Sequence, residues 1–406
     1  TNLMEKKLTV AVIGCGEFAR NFVPLFNAHP FVEKVYVCDV IPARAQEYSE
    51  KFDVEIVDSF ESALKNPAIN AVAIFTQRHT HGPLVVEALR HGKHVYSAVP
   101  MASEIEHCHE IVELVKETGL TYMMGETCWF YPCAMFCRGL VNSGKLGKFV
   151  YAESQYHHDI SHFSANFLAD LKSAGVPPFY YPTHSTAMVL SAAGTYVKKV
   201  TAFGYRDSEP DHVYEKGVNM WDNIFSDEFS LMELANGGVA RINECRRIGY
   251  KAPSSYVSAF YGTEGAYQFH NAQHLVTYKR PAPENITIED VSDFVNPVEM
   301  TKHTADADFK KQVANHGYQW DNFAPVQEEE RQKLPVSFNG LPNGHMASHQ
   351  FLVNDFCNAA YAGKTPVRNN AWESARFTIP GLTAHTSVLR GGEVLDVFDC
   401  GDPILK

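Results

Sequence analysis

The chain has 406 residues, 45% hydrophobic and 20% charged, a globular composition too long for one ordinary core. Its formal net charge of −12, with no run of Lys and Arg, argues against a sequence-independent nucleic-acid footprint and leaves small molecules as the expected partners. Nine cysteines scattered without a CxxC pair signal neither a disulfide framework nor a zinc ribbon, which fits a reducing compartment. No apolar stretch approaches the roughly 20 residues that span a bilayer. Thr1 to Lys7 runs into an apolar strand without the apolar core and small-residue cleavage site of a signal peptide. A cytoplasmic protein that engages neither nucleic acid nor membrane is expected.

Residues 8–13 are a continuous apolar run rich in β-branched side chains, the pattern of a parallel strand buried on both faces. The run ends in Gly14-Cys15-Gly16-Glu17-Phe18-Ala19, a GxGxxA turn, and 18–28 read as the following helix. In a dinucleotide site the first glycine makes the turn, the second admits the pyrophosphate and the small sixth residue lets helix and strand pack. The next strand, 35–38, ends at Asp39, 23 residues after Gly16, close to the expected distance for an acid on the adenosine ribose. An acid there repels a 2′-phosphate, so NAD is expected over NADP, with Arg44 nearby as a softening influence. Strands at 71–75, 95–97 and 121–124, with helices at 59–64, 83–91 and 104–117, continue the alternation. Thr76 closes a strand at its carboxyl end, where open α/β sheets bind ligands. His79 and His81 follow on the loop, His81 as a candidate to line the cofactor cleft, against the plainer reading of a solvated loop histidine.

After a helix at 130–143 the pattern changes to longer strands without regular helices between them, at 149–156, 200–205, 228–234, 238–245, 255–261 and 266–270. The expected fold is therefore α/β. Residues 1–128 form a Rossmann dinucleotide-binding domain, and 129–406 an α+β substrate-binding and oligomerisation domain with a large, mostly antiparallel or mixed open sheet. A sheet face left free with apolar alternation points to a homo-oligomer, a dimer or tetramer. Residues 281–332 are polar and weakly periodic and read as a surface excursion. Pro380-Gly381 marks a break in a C-terminal helix, 377–389, expected to pack back on the first domain.

Two clusters carry proton-transfer groups, Tyr156-His157-His158-Asp159 and Tyr180-Tyr181-Pro182-Thr183-His184. Tyr156 and His158, two apart on a strand, share a face. Tyr181 and His184, three apart where Pro182 opens an apolar helix, look the same way. Each alone is more simply a hydrogen-bonded core residue. Together, with Glu126 closing the last strand of the first domain, they argue for chemistry. His345, in Gly344-His345-Met346-Ala347-Ser348-His349 ahead of a helix at 350–362, is a candidate substrate contact beside His157.

The order GxGxxA, Asp39, Thr76, His94-Val95 to Pro100 and then a mixed-sheet domain resembles the glucose–fructose oxidoreductase, inositol dehydrogenase and MocA (Gfo/Idh/MocA) family over nearly the whole chain. Many members carry Glu-Lys-Pro where this chain reads Ala98-Val99-Pro100. The valine is similar to the branch of NAD-dependent glycosidases, glycoside hydrolase family 109, as are Met124-Gly125-Glu126-Thr127-Cys128 and the two Tyr/His clusters. Ala98 and Ser185 depart from that branch, which carries a glutamate and a glycine there. The resemblance implies catalytic roles for Glu126, Tyr156, His158, Tyr181 and His184, with Gly14, Gly16, Glu17, Phe18, Asp39, Arg44, Thr76, His81, Val99 and Pro100 around the cofactor. The implied activity is redox-neutral glycoside cleavage: C3 of a sugar is oxidised, the C2 proton leaves to a base such as Tyr156, the C1 substituent is eliminated, water adds and C3 is reduced again.

Two other readings stand beside it. In one the enzyme is a net NAD-dependent dehydrogenase of a sugar or cyclitol, with His184 or Tyr181 in place of the missing lysine. In the other it is a non-catalytic sugar or cofactor sensor. His157, His158, His162, His184 and His345 have no fixed ligand spacing, so no metal is expected.

Overall fold

The computed structural model describes residues 6–250, 253–270, 273–279, 287–297 and 323–406. The chain divides into two compact units, 1–127 with 329–376 and 400–406, and 128–328 with 377–399. The expected second segment, 129–406, is thus interrupted, and side-chain contacts account for it. The helix His349–Ala362 is held to the first unit by His29 Nε2 at 2.8 Å from Asn354 Oδ1 and by Phe31 stacked on Tyr361 at 4.1 Å.

The first unit is built on β1 (Leu8–Ile13), whose side chains are all buried, with β2 (Val32–Cys38) on one edge and β4 (Ala71–Ile74) on the other, both parallel to it. β3 (Glu55–Ile56), β5 (His94–Ser97) and β6 (Tyr122–Met124) complete a six-stranded sheet in the order β3-β2-β1-β4-β5-β6. The order reverses between β1 and β4, which opens a crevice beyond their carboxyl ends. The helix expected at 18–28 is a 3-10 turn at Ala19–Asn21 followed by a helix at Val23–Ala28. Pro24 has no N–H to donate to the carbonyl four residues back, so the entry is made with tighter bonds such as Phe22 N–H to Ala19 O at 3.0 Å. The helix Pro42–Phe52 was not legible, because only Ala45 and Tyr48 of its eleven residues are buried.

Among the described residues the second unit has nine strands in one sheet. β7 (Phe149–His157) pairs in parallel with β10 (Val239–Cys245) and antiparallel with β11 (Ser255–Gly262). β8 (Val197–Arg206), β9 (Phe225–Leu234), β12 (Gly265–His270), β13 (Gln273–Tyr278), β14 (Thr287–Asp290) and β15 (Leu395–Asp396) add antiparallel neighbours, in the order β14-β13-β12-β11-β7-β10-β9-β8-β15. The mixed open sheet follows the alternation read from the sequence. One face is covered by Thr183–Ala193, a helix packed on β7, β10 and β11 and stopped by Gly194 in the left-handed region at φ 65°.

Of the expected excursion at 281–332, residues 281–286 and 298–322 lie outside the described residues. The remainder is partly structured: β14 extends the sheet, Val295 is buried, and buried Gln327 donates from Nε2 to Phe130 O at 2.9 Å. The break expected at Pro380-Gly381 is absent, since one helix runs Ala371–Leu389. From Phe377 that helix belongs to the second unit, not the first. A Cβ on Gly381 would collide with Pro182 and the Phe179 carbonyl, so the glycine is what lets the helix lie against that segment. Among the described residues no helix is long and apolar enough to cross a membrane.

Candidate active site

In the first unit the expected cofactor residues gather at the carboxyl ends of the strands. Gly14 has φ 98°, and a Cβ on it would stand 2.6 Å from Phe75 O, so both conformation and contact demand glycine. Gly16 has nothing within 4 Å of where its Cβ would be, leaving open space beside its backbone. Asp39 shapes the same turn: Oδ2 accepts from Cys15 N–H at 2.8 Å and Oδ1 from Ile41 N–H at 2.7 Å. A carboxylate offers about four acceptor sites, so each oxygen keeps capacity for a ribose hydroxyl. Tyr48 supports the turn from beneath by donating to Gly16 O. Burial and then Asp39 push the Cys15 thiol up to about 12, so it remains a thiol. Glu17, Phe18 and Arg44 are exposed. Open backbone at Gly16 and an acid after β2 fit an NAD molecule.

His81 does not line an open cleft. It is 1% exposed, with Nδ1 2.8 Å from Pro100 O and Nε2 3.0 Å from Thr76 O. Burial lowers its pKa, and a neutral ring donates to one of these carbonyls at a time. It therefore ties the loop after β4 to Val99-Pro100 after β5. Glu126, just after β6, has no exposed surface, and its carbonyl accepts from Asn369 Nδ2 at 3.2 Å. His345 joins this unit. With Met346 and Ala347 it makes three successive non-glycine residues at positive φ (51°, 57° and 65°), a strained turn. Its Nδ1 lies 2.7 Å from Nε2 of His349, and both rings meet Phe18 edge-on, at 5.6 and 5.7 Å. The turn thus reaches the residue that follows Gly16-Glu17.

In the second unit β7 delivers Tyr156 and His158 to the face covered by Thr183–Ala193. Tyr156 lies 5.4 Å from His158, 5.8 Å from Tyr181 and 5.2 Å from His184 between ring centroids. Tyr181 Oη and His184 Nε2 are 3.3 Å apart. Tyr181 itself precedes the helix, which begins at Thr183 after Pro182. His157 does not join them. Alternation turns it to the other face, where Tyr250 lies 5.3 Å and Tyr256 6.0 Å away. Burial, then Arg241 and Arg246, lower its pKa to about 4, so it is neutral at ordinary pH.

Beneath the cluster lies a buried ionic layer that the sequence did not disclose. Glu228 on β9 accepts Phe179 N–H at 3.0 Å on Oε1, while its Oε2 is 2.7 Å from His385 Nδ1. Glu244 on β10 accepts the Ser185 hydroxyl at 2.5 Å on Oε1 and Arg246 Nη2 at 3.0 Å on Oε2. Arg246 places its guanidinium carbon 4.6 Å from the centroid of the Tyr156 ring and 5.9 Å from that of Tyr181. Both carboxylates are paired inside the protein, so they are not the open acid/base dyad of an ordinary glycosidase.

Residues 8–126, which contain the whole six-stranded sheet, match the model of the Gfo/Idh/MocA oxidoreductases, described as an oxidoreductase family with an NAD-binding Rossmann fold. That match makes the first unit similar to the NAD-binding domain of those oxidoreductases. It is 30% identical over 171 residues to glycosyl hydrolase family 109 protein 3 of Phocaeicola vulgatus, covering 40% of this chain and 31% of that one. It is 22% identical over 423 residues to a glycosyl hydrolase family 109 protein of Streptomyces filamentosus, covering 96% and 76%. The chain thus spans under a third of the first relative and about three quarters of the second. A levoglucosan dehydrogenase in complex with NADH and L-sorbose shares the fold, with a TM-score of 0.70 at 17% identity over 97% of this chain and all of that one.

The Tyr/His cluster and the glycine turn were legible from motif and spacing. Arg246, Glu244, Glu228 and His385 were not. Their signal was faint but present: Glu244 and Arg246 in Asn243-Glu244-Cys245-Arg246 are charged residues at the end of an apolar strand, and buried charges are rare unless paired.

Proposed function

We propose that this protein is an NAD-dependent carbohydrate enzyme of the Gfo/Idh/MocA family that cleaves a glycoside without net oxidation. The observation that carries the reading is the packing of Tyr156 against His158, Tyr181 and His184, four groups able to move protons around one ring-sized substrate. A single hydroxyl oxidation needs one such transfer, whereas oxidation at C3, loss of the C2 proton, departure of the C1 substituent and their reversal need several. When bound, NAD supplies reversible hydride exchange at C3. Tyr156 takes the C2 proton and returns it after water has added at C1. His158 or His184 holds the proton of the C3 hydroxyl, Tyr181 sets the orientation of His184 through their hydrogen bond, and Glu126 positions sugar or nicotinamide. Asp39 favours NAD over NADP, because its carboxylate repels a 2′-phosphate.

The test is a mass balance with aryl glycosides. One tightly bound NAD per chain should support many turnovers, the product should be a free sugar, and absorbance of reduced nicotinamide should not accumulate. Steady release of NADH with an oxidised, uncleaved substrate would make the protein a net dehydrogenase. The Tyr181–His184 hydrogen bond favours that second reading, since one phenol–imidazole pair suffices to deprotonate one hydroxyl.

We also propose that the chain is a homo-oligomer. On the second sheet Phe203, Phe229 and Leu231 are 64%, 38% and 50% exposed, and Phe203 pairs directly with Phe229 across β8 and β9. Contiguous apolar side chains on a sheet face call for a partner. Light scattering should give a dimer or tetramer, and a monomer at micromolar concentration would contradict it.

A further inference from the structure

A phenol with an ordinary pKa of about 10 is a poor base near neutrality unless its charged form is stabilised. The Tyr156 ring carries such a stabiliser on its face. Arg246 is 1% exposed and stays charged at any working pH. It is held rigidly: Nη2 donates to Glu244, Nη1 to the Cys245 carbonyl at 3.2 Å and, at 3.5 Å, to the carbonyl of Tyr156 itself. A guanidinium over an aromatic face is attractive to the neutral ring and more so to the anion.

We propose that Arg246 is a positioning residue for the chemistry of Tyr156: its guanidinium, fixed over the ring, stabilises the phenolate that must form if this tyrosine is to take a proton from carbon. The inference rests on reading Tyr156 as the base. Other groups face the same place. His158 stands beside Tyr156 at the end of its own strand, Tyr181 and His184 come from the segment and helix packed on it, and Glu244 comes from β10. Tyr214 is a neutral phenol, its pKa raised by burial, and Asp227 accepts the Arg246 backbone N–H at 3.1 Å. Glu244, which touches the guanidinium itself, opposes the effect as an anion, and the Ser185 hydroxyl takes part of its charge in a hydrogen bond. Ser185 thereby acquires a role: it moderates the counter-ion of Arg246.

The experiment follows the Tyr156 phenol directly. Full-length protein with NAD is labelled with 13Cζ-tyrosine, and the Tyr156 resonance is assigned by its loss in Tyr156→Phe. The double variant Arg246→Met with Glu244→Gln removes cation and counter-ion together, so neither is left buried alone. Its phenol should titrate at least about one pH unit higher than in the wild type, and the pH profile of kcat/KM should move the same way. Arg246→Lys, which keeps a cation on a stem not shaped to lie over the ring, should show a smaller upward shift and serves alone if the double variant does not fold. An unchanged titration in a folded variant overturns the proposal. The titration needs no substrate, so a shifted phenol in a protein that cleaves no glycoside would uphold Arg246 and sink the glycosidase reading instead.

Discussion

Glu228 on β9 and Glu244 on β10 are direct partners in the antiparallel ladder, both without exposed surface, and each has its own partner, the His385 ring at 2.7 Å from Glu228 and the Arg246 guanidinium at 3.0 Å from Glu244. Like charges opposite one another destabilise a sheet, so the pairing is tolerated only because each carboxylate is separately satisfied. Their other oxygens grip the chain on either side of Tyr181 and His184, at Phe179 N–H and the Ser185 hydroxyl. The two carboxylates are thus the pedestal on which that half of the Tyr/His cluster is set.

Glu228→Ala removes the acceptor for Phe179 N–H and leaves His385 without its buried partner. Leaving a buried hydrogen-bonding group unsatisfied costs about 1–3 kcal/mol. Urea unfolding should show a loss of that order, and Glu228→Gln, which can still accept from Phe179, should lose less. Equal losses would mean that the amide hydrogen bond contributes nothing to holding the segment.

How much of this was readable in advance differs between the units for a physical reason. Gly14, Gly16 and Asp39 act through backbone geometry and local spacing, which one sequence displays, and Tyr156 with His158 follows from the two-residue period of a strand. Arg246 over Tyr156 joins residues 90 apart, and Glu228 with His385 joins residues 157 apart, pairings that depend on strand order and not on any local pattern. His157, next to Tyr156 in sequence, lies on the opposite face by the same two-residue period, beside Tyr250 and Tyr256. His345 and His349 reach Phe18 through a left-handed turn made of histidine, methionine and alanine, residue types that give no hint of positive φ.

Asp39→Ala should separate the two nicotinamide dinucleotides. Charge-assisted hydrogen bonds to ribose hydroxyls are worth about 1.5–3 kcal/mol, so NAD affinity should fall by roughly 10- to 100-fold. NADP, which the carboxylate repels, should be affected far less. Because Asp39 also caps Cys15 and Ile41, some loss common to both dinucleotides is expected, and titration calorimetry with each gives the difference. A wild type that prefers NADP would remove the role given to Asp39.

Tyr156→Phe retains the ring against His184 and beneath Arg246 but removes the ionisable oxygen. Thermal stability should change by less than about 1 kcal/mol, the net worth of one hydrogen bond. Exchange of the substrate C2 hydrogen with solvent deuterium, followed by NMR, should be lost. Exchange at the wild-type rate would take Tyr156 out of the chemistry.

Buried histidines make stability depend on pH in a definite direction. Burial lowers the pKa of His94, His157 and His274 to about 4. In the unfolded chain each has a pKa of about 6.5, so between roughly pH 6.5 and 4 the unfolded state binds more protons than the folded one. Stability therefore falls on acidification through that window, while above it all three are neutral in both states and contribute no slope. Each can add up to about 1.4 kcal/mol per pH unit. His274, held between Tyr267 Oη at 2.6 Å and Asn296 Oδ1 at 2.9 Å, is the best test. His274→Gln cannot take up a proton in either state, so although its stability at pH 7 is lower, its loss between pH 6.5 and 5 should be shallower by about that slope. A parallel pair of curves from urea unfolding would show that His274 takes up its proton alike in the folded and unfolded states and that burial does not govern it.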